Sequence, residues 1–293
     1  MVLAVIALIF LPLTGADTES PDKTRTAEGG HAILLEQFTA TWCDTCATID
    51  PWIIDFVEDR SNRVVRVALH PNDHDPFGSP LTTHRLSGKM FEGQPSLPSF
   101  WFDGQGEMEG FVLQSELESE LLNAESNRED SIQMQVWWDT WENPSHGDIQ
   151  RLSVHFPNSL PDNASITVFK LQTLTMTSEI ANNGMDTHHD VATQMITFHE
   201  NGTTSSAFDG DDWNFTVGLR DDSEGIPIFI LETSGETDGF VTVIEVDGVV
   251  RGTIGIYDEE KPRKAENNRD LAMFFLVGAL VASSALISRR NLQ

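Results

Sequence analysis

The sequence predicts two folded domains of different class, an α/β domain followed by an all-β sandwich, with an apolar segment near each end of the chain. In the first half, apolar runs of strand length alternate with segments whose apolar residues recur at helical spacing. From residue 131 onward, short strand patterns follow one another between turn-forming residues. Uncharged apolar runs lie at 2–13 and 271–287.

The first apolar run predicts a signal peptide over residues 1–16. Twelve apolar residues (2–13) are too few to cross a bilayer, and the small residues Thr14 and Ala16 suit a cleavage site. Because no positive charge precedes the run, an uncleaved anchor or a start codon placed too late is the alternative. Residues 17–30 are polar and are expected to form a linker.

Residues 31–127 are predicted to form the α/β domain, and about 95 residues are enough for one core. The two first strands are expected to be parallel, and the last two are expected to be joined by a tight turn at Asp103-Gly104. The predicted strands lie within 31–38, 63–70 and 96–112, and the predicted helical segments are 46–60, 81–91 and 113–125.

Residues 131–258 are predicted to form an antiparallel sandwich of immunoglobulin-like type, because seven or eight short strand patterns alternate with turn-forming residues. No Cys–Trp–Cys frame is present, so its core must hold without a disulfide. The strand patterns are 132–139, 149–156, 165–174, 192–200, 212–219, 226–233 and 240–257.

The second apolar run predicts a transmembrane helix over 271–287, which at about 1.5 Å per residue spans roughly 25 Å. Arg289 and Arg290 follow it, which places the tail, 288–293, in the cytoplasm. The charged linker on the other side of the run, 259–270, also contains basic residues, so the two flanks differ little in positive charge. The predicted export signal at the N-terminus therefore decides the orientation. We expect a single-pass protein of the cell membrane with an extracytoplasmic body; a buried core helix is the alternative.

Net charge excludes some classes of partner. The 46 acidic residues outnumber the 18 basic ones, which gives a net charge of −28. Such a surface argues against nucleic acid and against anionic lipid. The acidic residues are spread along the chain, which a salt-rich habitat would explain. Acceptor sequons for N-linked sugar begin at Asn163, Asn201 and Asn214 and fit an exported domain.

The stretch FTATWCDTCATIDP contains the chain's two cysteines, Cys43 and Cys46. The thiolate is the nucleophile in disulfide exchange, and a helix N-terminus lowers the pKa of a thiol. Cys43 follows Trp42 at the point where the strand pattern ends and the helix pattern begins. Cys46 lies one helical turn later, where it can resolve a mixed disulfide formed on Cys43.

ILLEQFTATWCDTC, with Pro51 five residues later, resembles the active-site strand, turn and kinked helix of the thioredoxin superfamily. SLPSFWFDG is similar to the family's cis-proline strand, and the likeness covers roughly 31–127. The resemblance implies a cis bond between Leu97 and Pro98. It further implies that Pro98 faces the thiols in a substrate groove with Leu97 beside it. The EQFTATWC run and the appended sandwich are also similar to Omp28-like envelope proteins, a weaker likeness.

Two residues, Gln37 and Asp44, depart from what the resemblance implies. The family often has a buried acid on the strand before the thiols, and Gln37 occupies that position here. Glu36 is expected to point to the other face of the strand unless the strand bulges. Asp44 places a negative charge beside Cys43, which opposes thiolate formation, so the pair is expected to be less oxidising than the strongest envelope oxidants.

Other roles for the cysteines remain alternatives. A zinc site needs two more ligands, and the sequence has no second CxxC. A structural disulfide across CxxC closes too small a loop to stabilise a domain much. A thioredoxin fold kept only as a scaffold would not need both thiols.

Two groups of histidines are candidate metal ligands. Three histidines lie in or near the loop after the second strand, with two aspartates between them: His70, His74, His84, Asp73 and Asp75. We interpret this segment as a solvated acidic loop and His188-His189-Asp190 as a turn before a strand. The tryptophans Trp137, Trp138 and Trp141 are interpreted as core and covered interface, with a sugar- or peptide-binding platform as the alternative.

The expected function is that of a membrane-anchored extracytoplasmic thiol–disulfide oxidoreductase acting on other envelope proteins. Cys43 would be the nucleophile, Cys46 the resolving thiol, and Trp42, Leu97 and Pro98 would border the substrate. We expect no metal, no cofactor beyond the Cys43–Cys46 pair and no nucleic acid; the partners would be thiol- or disulfide-containing proteins and an unknown redox partner. The alternative is a non-catalytic binding or structural protein that uses the same scaffold.

Overall fold

The computed structural model describes residues 20–87, 89, 95–143, 147–177, 183–208, 216–221 and 226–258. Within them the chain forms fourteen strands and three short helices. The elements are β1 (Lys23–Gly29), β2 (Ile33–Phe38), α1 (Asp44–Glu58), β3 (Val64–Leu69), α2 (Pro80–Leu86), β4 (Ser99–Phe102), β5 (Gln105–Glu109), α3 (Gln114–Asn127), β6 (Met134–Trp141), β7 (Ile149–His155), β8 (Ala164–Thr175), β9 (Thr187–His199), β10 (Thr204–Phe208), β11 (Thr216–Asp221), β12 (Pro227–Ser234), β13 (Gly239–Val246) and β14 (Val249–Tyr257).

The strands form two sheets that pack over a shared apolar core. A five-stranded sheet has the order β1-β6-β7-β12-β11. A nine-stranded sheet has the order β14-β13-β8-β9-β3-β2-β4-β5, with β10 paired to β9. Between the sheets lie Trp138 and Phe229 from the smaller sheet, against Ile166 and Phe240 from the larger one. The pattern of each strand follows from this packing, since β6 alternates buried and half-buried residues whereas β2 and β3 are buried throughout.

The predicted fold class is wrong. We expected an α/β domain followed by a separate all-β sandwich, but the described chain is mostly β-sheet, and strands from both halves share one sheet. The junction is the parallel pairing of β3 with β9 at Ala68 and Val191. Residues 23–29, which we expected in a linker, form β1 and pair with β6. Hydrophobic periodicity predicts a strand but not its partner, which explains the error.

The prediction of a single-pass membrane protein with a C-terminal transmembrane helix is also corrected. None of the helices in the described part of the chain is long and apolar enough to span a bilayer. The predicted span, 271–287, lies outside the described residues, as do the signal peptide (1–16), the charged linker (259–270) and the tail (288–293).

Several local predictions are confirmed. β2 and β3 are parallel. The Leu97–Pro98 bond is cis. Asp103 and Gly104, with φ of 52° and 74°, form the two-residue turn between β4 and β5, as a type I′ hairpin requires. Seven strand patterns of the second half correspond to strands, and neighbouring strands there pair antiparallel.

Other local predictions need correction or extension. The strand β10 was not predicted, and His188-His189-Asp190 lies within β9 and not in a turn. Trp138 is 1% exposed and belongs to the core, as interpreted, with the guanidinium of Arg25 4.3 Å from its ring centroid.

Candidate functional site

The two cysteines form a disulfide at the start of α1. Cys43 is the N-cap residue of the helix, with extended backbone (φ −92°, ψ 110°). Its Sγ accepts a hydrogen bond of 3.0 Å from the backbone N–H of Cys46. A helix leaves its first N–H groups without partners in the helix, so this bond satisfies one of them with sulfur. The N-terminal end of the helix also favours negative charge on Cys43.

Exposure distinguishes the two sulfur-bearing residues. Cys43 is 7% exposed and Cys46 is 0% exposed, so solvent reaches only the first. Trp42, beside Cys43, is 47% exposed. Leu97 packs against the small cluster formed by the cysteines and Ala40. The predicted site residues Trp42, Cys43, Cys46, Leu97 and Pro98 therefore occupy neighbouring positions.

The loop after β5 meets the cis-proline segment. The N–H of Gly110 donates to the carbonyl of Pro98 at 2.8 Å. Phe111 and Leu113 follow, and both expose more than half of their side-chain surface. Phe111 follows Gly110 directly and therefore lies beside the segment that carries Pro98.

A segment from the second half of the chain contacts the thiol motif. Asn183, four residues before β9, donates from Nδ2 to the carbonyl oxygen of Cys43 at 3.2 Å. Its Oδ1 accepts from the N–H of Met185 at 3.0 Å, which holds the side chain in place. The partial cover of Cys43 thus includes residues far away in sequence.

A buried carboxylate, Asp50, lies on α1 one turn beyond Cys46. Residues four apart on a helix lie on the same face, about 5–6 Å apart at Cβ, and both residues are almost fully buried. Asp50 accepts hydrogen bonds from Gln37 Nε2 and from Thr39 Oγ1, the latter at 2.9 Å. Burial raises the pKa of Asp50, although the guanidinium of Arg66 partly opposes this.

Asp50 was not predicted as a site residue, because the family's buried acid is expected on the strand and not on the helix. Gln37 does occupy the strand position, and Glu36 points to the opposite side, as expected, where Arg85 and Lys89 bind it. Burial alone would raise the pKa of Glu36, but these two cations lower it to about 2. The four-residue spacing between Cys46 and Asp50 on the predicted helix was the feature of the sequence that could have identified Asp50 as a site residue.

A second carboxylate, Asp75, holds the backbone just before the thiol motif. Its Oδ2 accepts from the N–H of Thr41 at 2.8 Å and from Thr41 Oγ1 at 3.2 Å. Its Oδ1 lies 3.2 Å from His70 Nδ1 and accepts from the N–H of Phe77 at 2.9 Å. Burial would raise the pKa of Asp75, but the hydrogen bond and charge of His70 and the backbone donors lower it.

The interpretation of this loop as solvated is wrong for two of its residues. His70 and Asp75 are buried, whereas His74 and His84 are exposed. The ring of His188 packs edge-on against that of His70, with centroids 5.2 Å apart. Burial, and secondly the neighbouring His70, lower the pKa of His188 to about 4. Among the residues that the structure describes, no three His, Cys, Asp or Glu side chains are arranged to hold a metal ion.

Comparisons with known proteins show similarity at the level of structure. No protein-family model and no curated protein matches the sequence. The chain is similar to HBP35 of Porphyromonas gingivalis, with a TM-score of 0.54 and 13% identity, over 82% of this chain and 79% of that one. It also matches protein AGR_C_4864 from Agrobacterium tumefaciens, with a TM-score of 0.48 and 12% identity, over 80% and 97%. At these identities the likeness to HBP35 concerns the fold alone.

Proposed function

We propose that this protein exchanges thiols and disulfides with other proteins through Cys43 and Cys46. The observation that carries the proposal is the position of the pair. The disulfide closes over the first turn of α1, with Cys43 at the N-cap and Cys46 buried behind it. A helix N-terminus stabilises the thiolate that exchange requires, and the difference in exposure supports separate roles for the two sulfurs.

The reaction proceeds through a mixed disulfide on Cys43. In the oxidising direction, a substrate thiolate attacks Cys43 Sγ, the Cys43–Cys46 bond breaks, and Cys46 leaves as a thiolate that takes up a proton. A second substrate thiolate then attacks the substrate sulfur of the mixed disulfide, which forms the substrate disulfide and releases the Cys43 thiolate. In the reducing direction the same steps run backwards, and Cys46 must lose a proton before it attacks.

We propose that Asp50 accepts the proton that Cys46 loses before it attacks the mixed disulfide, and returns a proton to Cys46 in the opposite direction. Cys46 is 0% exposed, so water is a poor acceptor for its proton, while Asp50 lies on the same face of α1. A carboxyl whose pKa is raised by burial is a better base at neutral pH than an ordinary one. Thr39 and Gln37 hold its two oxygens in place.

The surface around the disulfide supports a protein as the substrate. Trp42, next to Cys43 in the chain, and Phe111, next to the Gly110 whose N–H binds the Pro98 carbonyl, are exposed apolar side chains. Such side chains provide apolar contact area for a polypeptide that brings its sulfur to Cys43. The resemblance of the CxxC and cis-proline motifs to the thioredoxin superfamily agrees with this proposal.

One observation favours a different function, a binding or structural protein in which the disulfide is inert. Cys43 is only 7% exposed, and Asn183 binds its carbonyl oxygen. A disulfide that no partner can reach would not exchange. This alternative predicts a pair that stays oxidised in glutathione buffers.

The deciding experiment measures the reduction potential of the pair in the purified protein by thiol trapping in glutathione buffers, followed by turnover of a disulfide-containing protein substrate. We expect a reversible potential within the range of exchange enzymes, roughly −120 to −270 mV. Cys43→Ser is expected to abolish turnover, while Cys46→Ser is expected to accumulate mixed disulfides with the substrate.

Asn183→Ala is the matched test of access. If Asn183 covers the disulfide, this variant reacts faster with glutathione while its potential stays close to that of the parent protein. A pair that remains oxidised in every buffer, in both the parent protein and Asn183→Ala, or full turnover by Cys43→Ser, would overturn the proposal in favour of the inert scaffold.

A further inference from the structure

The turn between β9 and β10 contains a sequon, Asn201-Gly202-Thr203, in an ordered and exposed conformation. The N–H of Thr203 donates to Asn201 Oδ1 at 2.9 Å, and Thr203 Oγ1 donates to the same oxygen at 2.6 Å. The N–H of His199 donates to the carbonyl of Thr203 at 2.9 Å and closes the hairpin. Both bonds to Asn201 use its amide oxygen, which leaves the amide nitrogen outside them.

We propose that Asn201 is an acceptor site for N-linked sugar in the folded protein. The hydroxyl and the N–H that bind Oδ1 draw electron density from the amide, which makes its nitrogen-bound protons more acidic. The sequon requires a hydroxyl at its third position, and Thr203 supplies one that already contacts the acceptor side chain. This inference does not depend on the proposed redox function.

The sequon at Asn163 differs in a way that makes it a natural control. Asn163 is exposed, but Ser165, the third residue of its sequon, lies in β8. Ser165 pairs with His199 on one side and with Glu245 on the other. A transferase that binds residue 165 must first separate it from the two strands that flank β8. Residues 201–203 form a hairpin turn and require no such separation. The third sequon, at Asn214, lies outside the described residues.

The reaction is a group transfer without redox change. The co-reactant is an oligosaccharide joined through its anomeric carbon to a lipid pyrophosphate. A bond forms between Asn201 Nδ2 and the anomeric carbon, and the bond from that carbon to the phosphate oxygen breaks. The lipid pyrophosphate leaves with the electron pair, and Nδ2 gives one proton to a base of the transferase.

The position of the turn keeps a sugar on Asn201 away from the disulfide. Asn183, which binds Cys43, lies just before the start of β9, and the turn lies after its end. β9 has 13 residues, which at about 3.3 Å each separates the two ends by roughly 40 Å. A sugar at this turn therefore leaves the disulfide uncovered.

The test incubates the purified, folded chain with a single-subunit oligosaccharyltransferase and its lipid-pyrophosphate-linked oligosaccharide, followed by mass spectrometry of the peptides. All variants carry Asn214→Gln, so that two sequons remain. We expect one sugar, on the peptide that contains Asn201. It should disappear in Asn201→Gln and Thr203→Ala, and persist in Thr203→Ser and Asn163→Gln.

The same incubation with the denatured chain separates conformation from sequence. After denaturation we expect sugar at both Asn163 and Asn201, because both sequons are then accessible. An Asn201 that is modified only after denaturation would overturn the proposal, as would equal modification of Asn163 and Asn201 in the folded protein.

Discussion

At the scale of single residues, the proposed site consists of two sulfurs in a small apolar cluster and one buried carboxylate on the same helix. Cys43 has a helix N-terminus to stabilise its charge, while Cys46 is fully buried and has no comparable support. Asp50 is buried too, and its hydrogen-bond partners come from the strand side of the motif. In the proposed mechanism, the resolving step of Cys46 depends on the protonation state of Asp50, a residue on the same helix.

Asp50→Asn is expected to slow the step in which Cys46 resolves a mixed disulfide by about 10²–10⁴-fold, the usual contribution of a positioned base. Since burial raises the pKa of Asp50, the carboxylate becomes a base only as pH rises through this raised value, and the rate of resolution should rise with it. Stopped-flow kinetics across pH 4 to 9 would show this rise in the rate of resolution in the parent protein and its absence in the variant.

Opening of the disulfide by glutathione at Cys43 is the reverse of resolution, because it expels Cys46 as the thiolate. Asp50→Asn is therefore expected to slow both steps by a similar factor and to leave the reduction potential of the pair close to that of the parent protein. An unchanged pH profile of resolution, or a change in reduction potential large enough to account for the slower resolution, would mean that Asp50 has only a structural role.

At the scale of secondary structure elements, the junction between β3 and β9 joins the two halves of the chain within the larger sheet. It has a parallel pairing at Ala68 and Val191, supported by the buried side chain of Arg66. Arg66 donates to Gln37 Oε1 at 2.7 Å and to the carbonyl of His189 at 3.0 Å. Its guanidinium also lies 3.9 Å from Asp50 and 3.6 Å from Asp190. The side chain of Arg66 therefore interacts with residues of β2, α1 and β9.

Arg66→Met is expected to lower the free energy of unfolding by about 3–5 kcal/mol, because it leaves two buried carboxylates without this cation while keeping much of the side-chain volume. Urea unfolding at fixed salt measures the change. Arg151→Met is the matched control: Arg151 pairs with Glu232, both side chains are more than 40% exposed, and the expected loss is about 0–1 kcal/mol. Similar losses in both variants would contradict the assigned role of Arg66.

At the scale of the whole molecule, charge is the dominant feature. With a net charge of −28 on 293 residues, the folded chain repels itself over long distances. Some acidic side chains in the described part of the chain are paired, such as Glu118 and Glu125 with Arg63, but the 18 basic residues are too few to neutralise all 46 acidic ones. The screening length falls from about 10 Å at 0.1 M salt to about 3 Å at 1 M, so added salt relieves most of this repulsion.

Thermal stability is therefore expected to rise with salt. Between 0.1 and 1 M KCl we expect the Tm to rise by about 4–8 °C, which corresponds to about 2 kcal/mol for a protein of this size. Circular dichroism during heating measures it. Glu107→Gln with Glu109→Gln, which removes two exposed charges from β5, should reduce the salt dependence; a Tm that is flat or falls with KCl would contradict the role assigned to charge.

The sequence by itself determined the local features of this protein. Apolar periodicity predicted β2, β3 and α1 and most strands of the second half, and Asp103-Gly104 predicted the turn between β4 and β5. These features depend on residues that are near one another in the chain, where side-chain spacing, caps and turn conformations act directly. The position of Cys43 and Cys46 at the start of α1 is also a local feature of this kind.

Only the tertiary structure decided how these elements combine. The pairing of β3 with β9, the insertion of β1 beside β6, the burial of Asp50 and His70 and the contact of Asn183 with Cys43 all join residues distant in sequence. The spacing of apolar residues shows that a strand has a buried face, but it does not specify the strand or side chain that covers that face. That choice depends on the sum of many long-range contacts, each too weak to leave a local pattern.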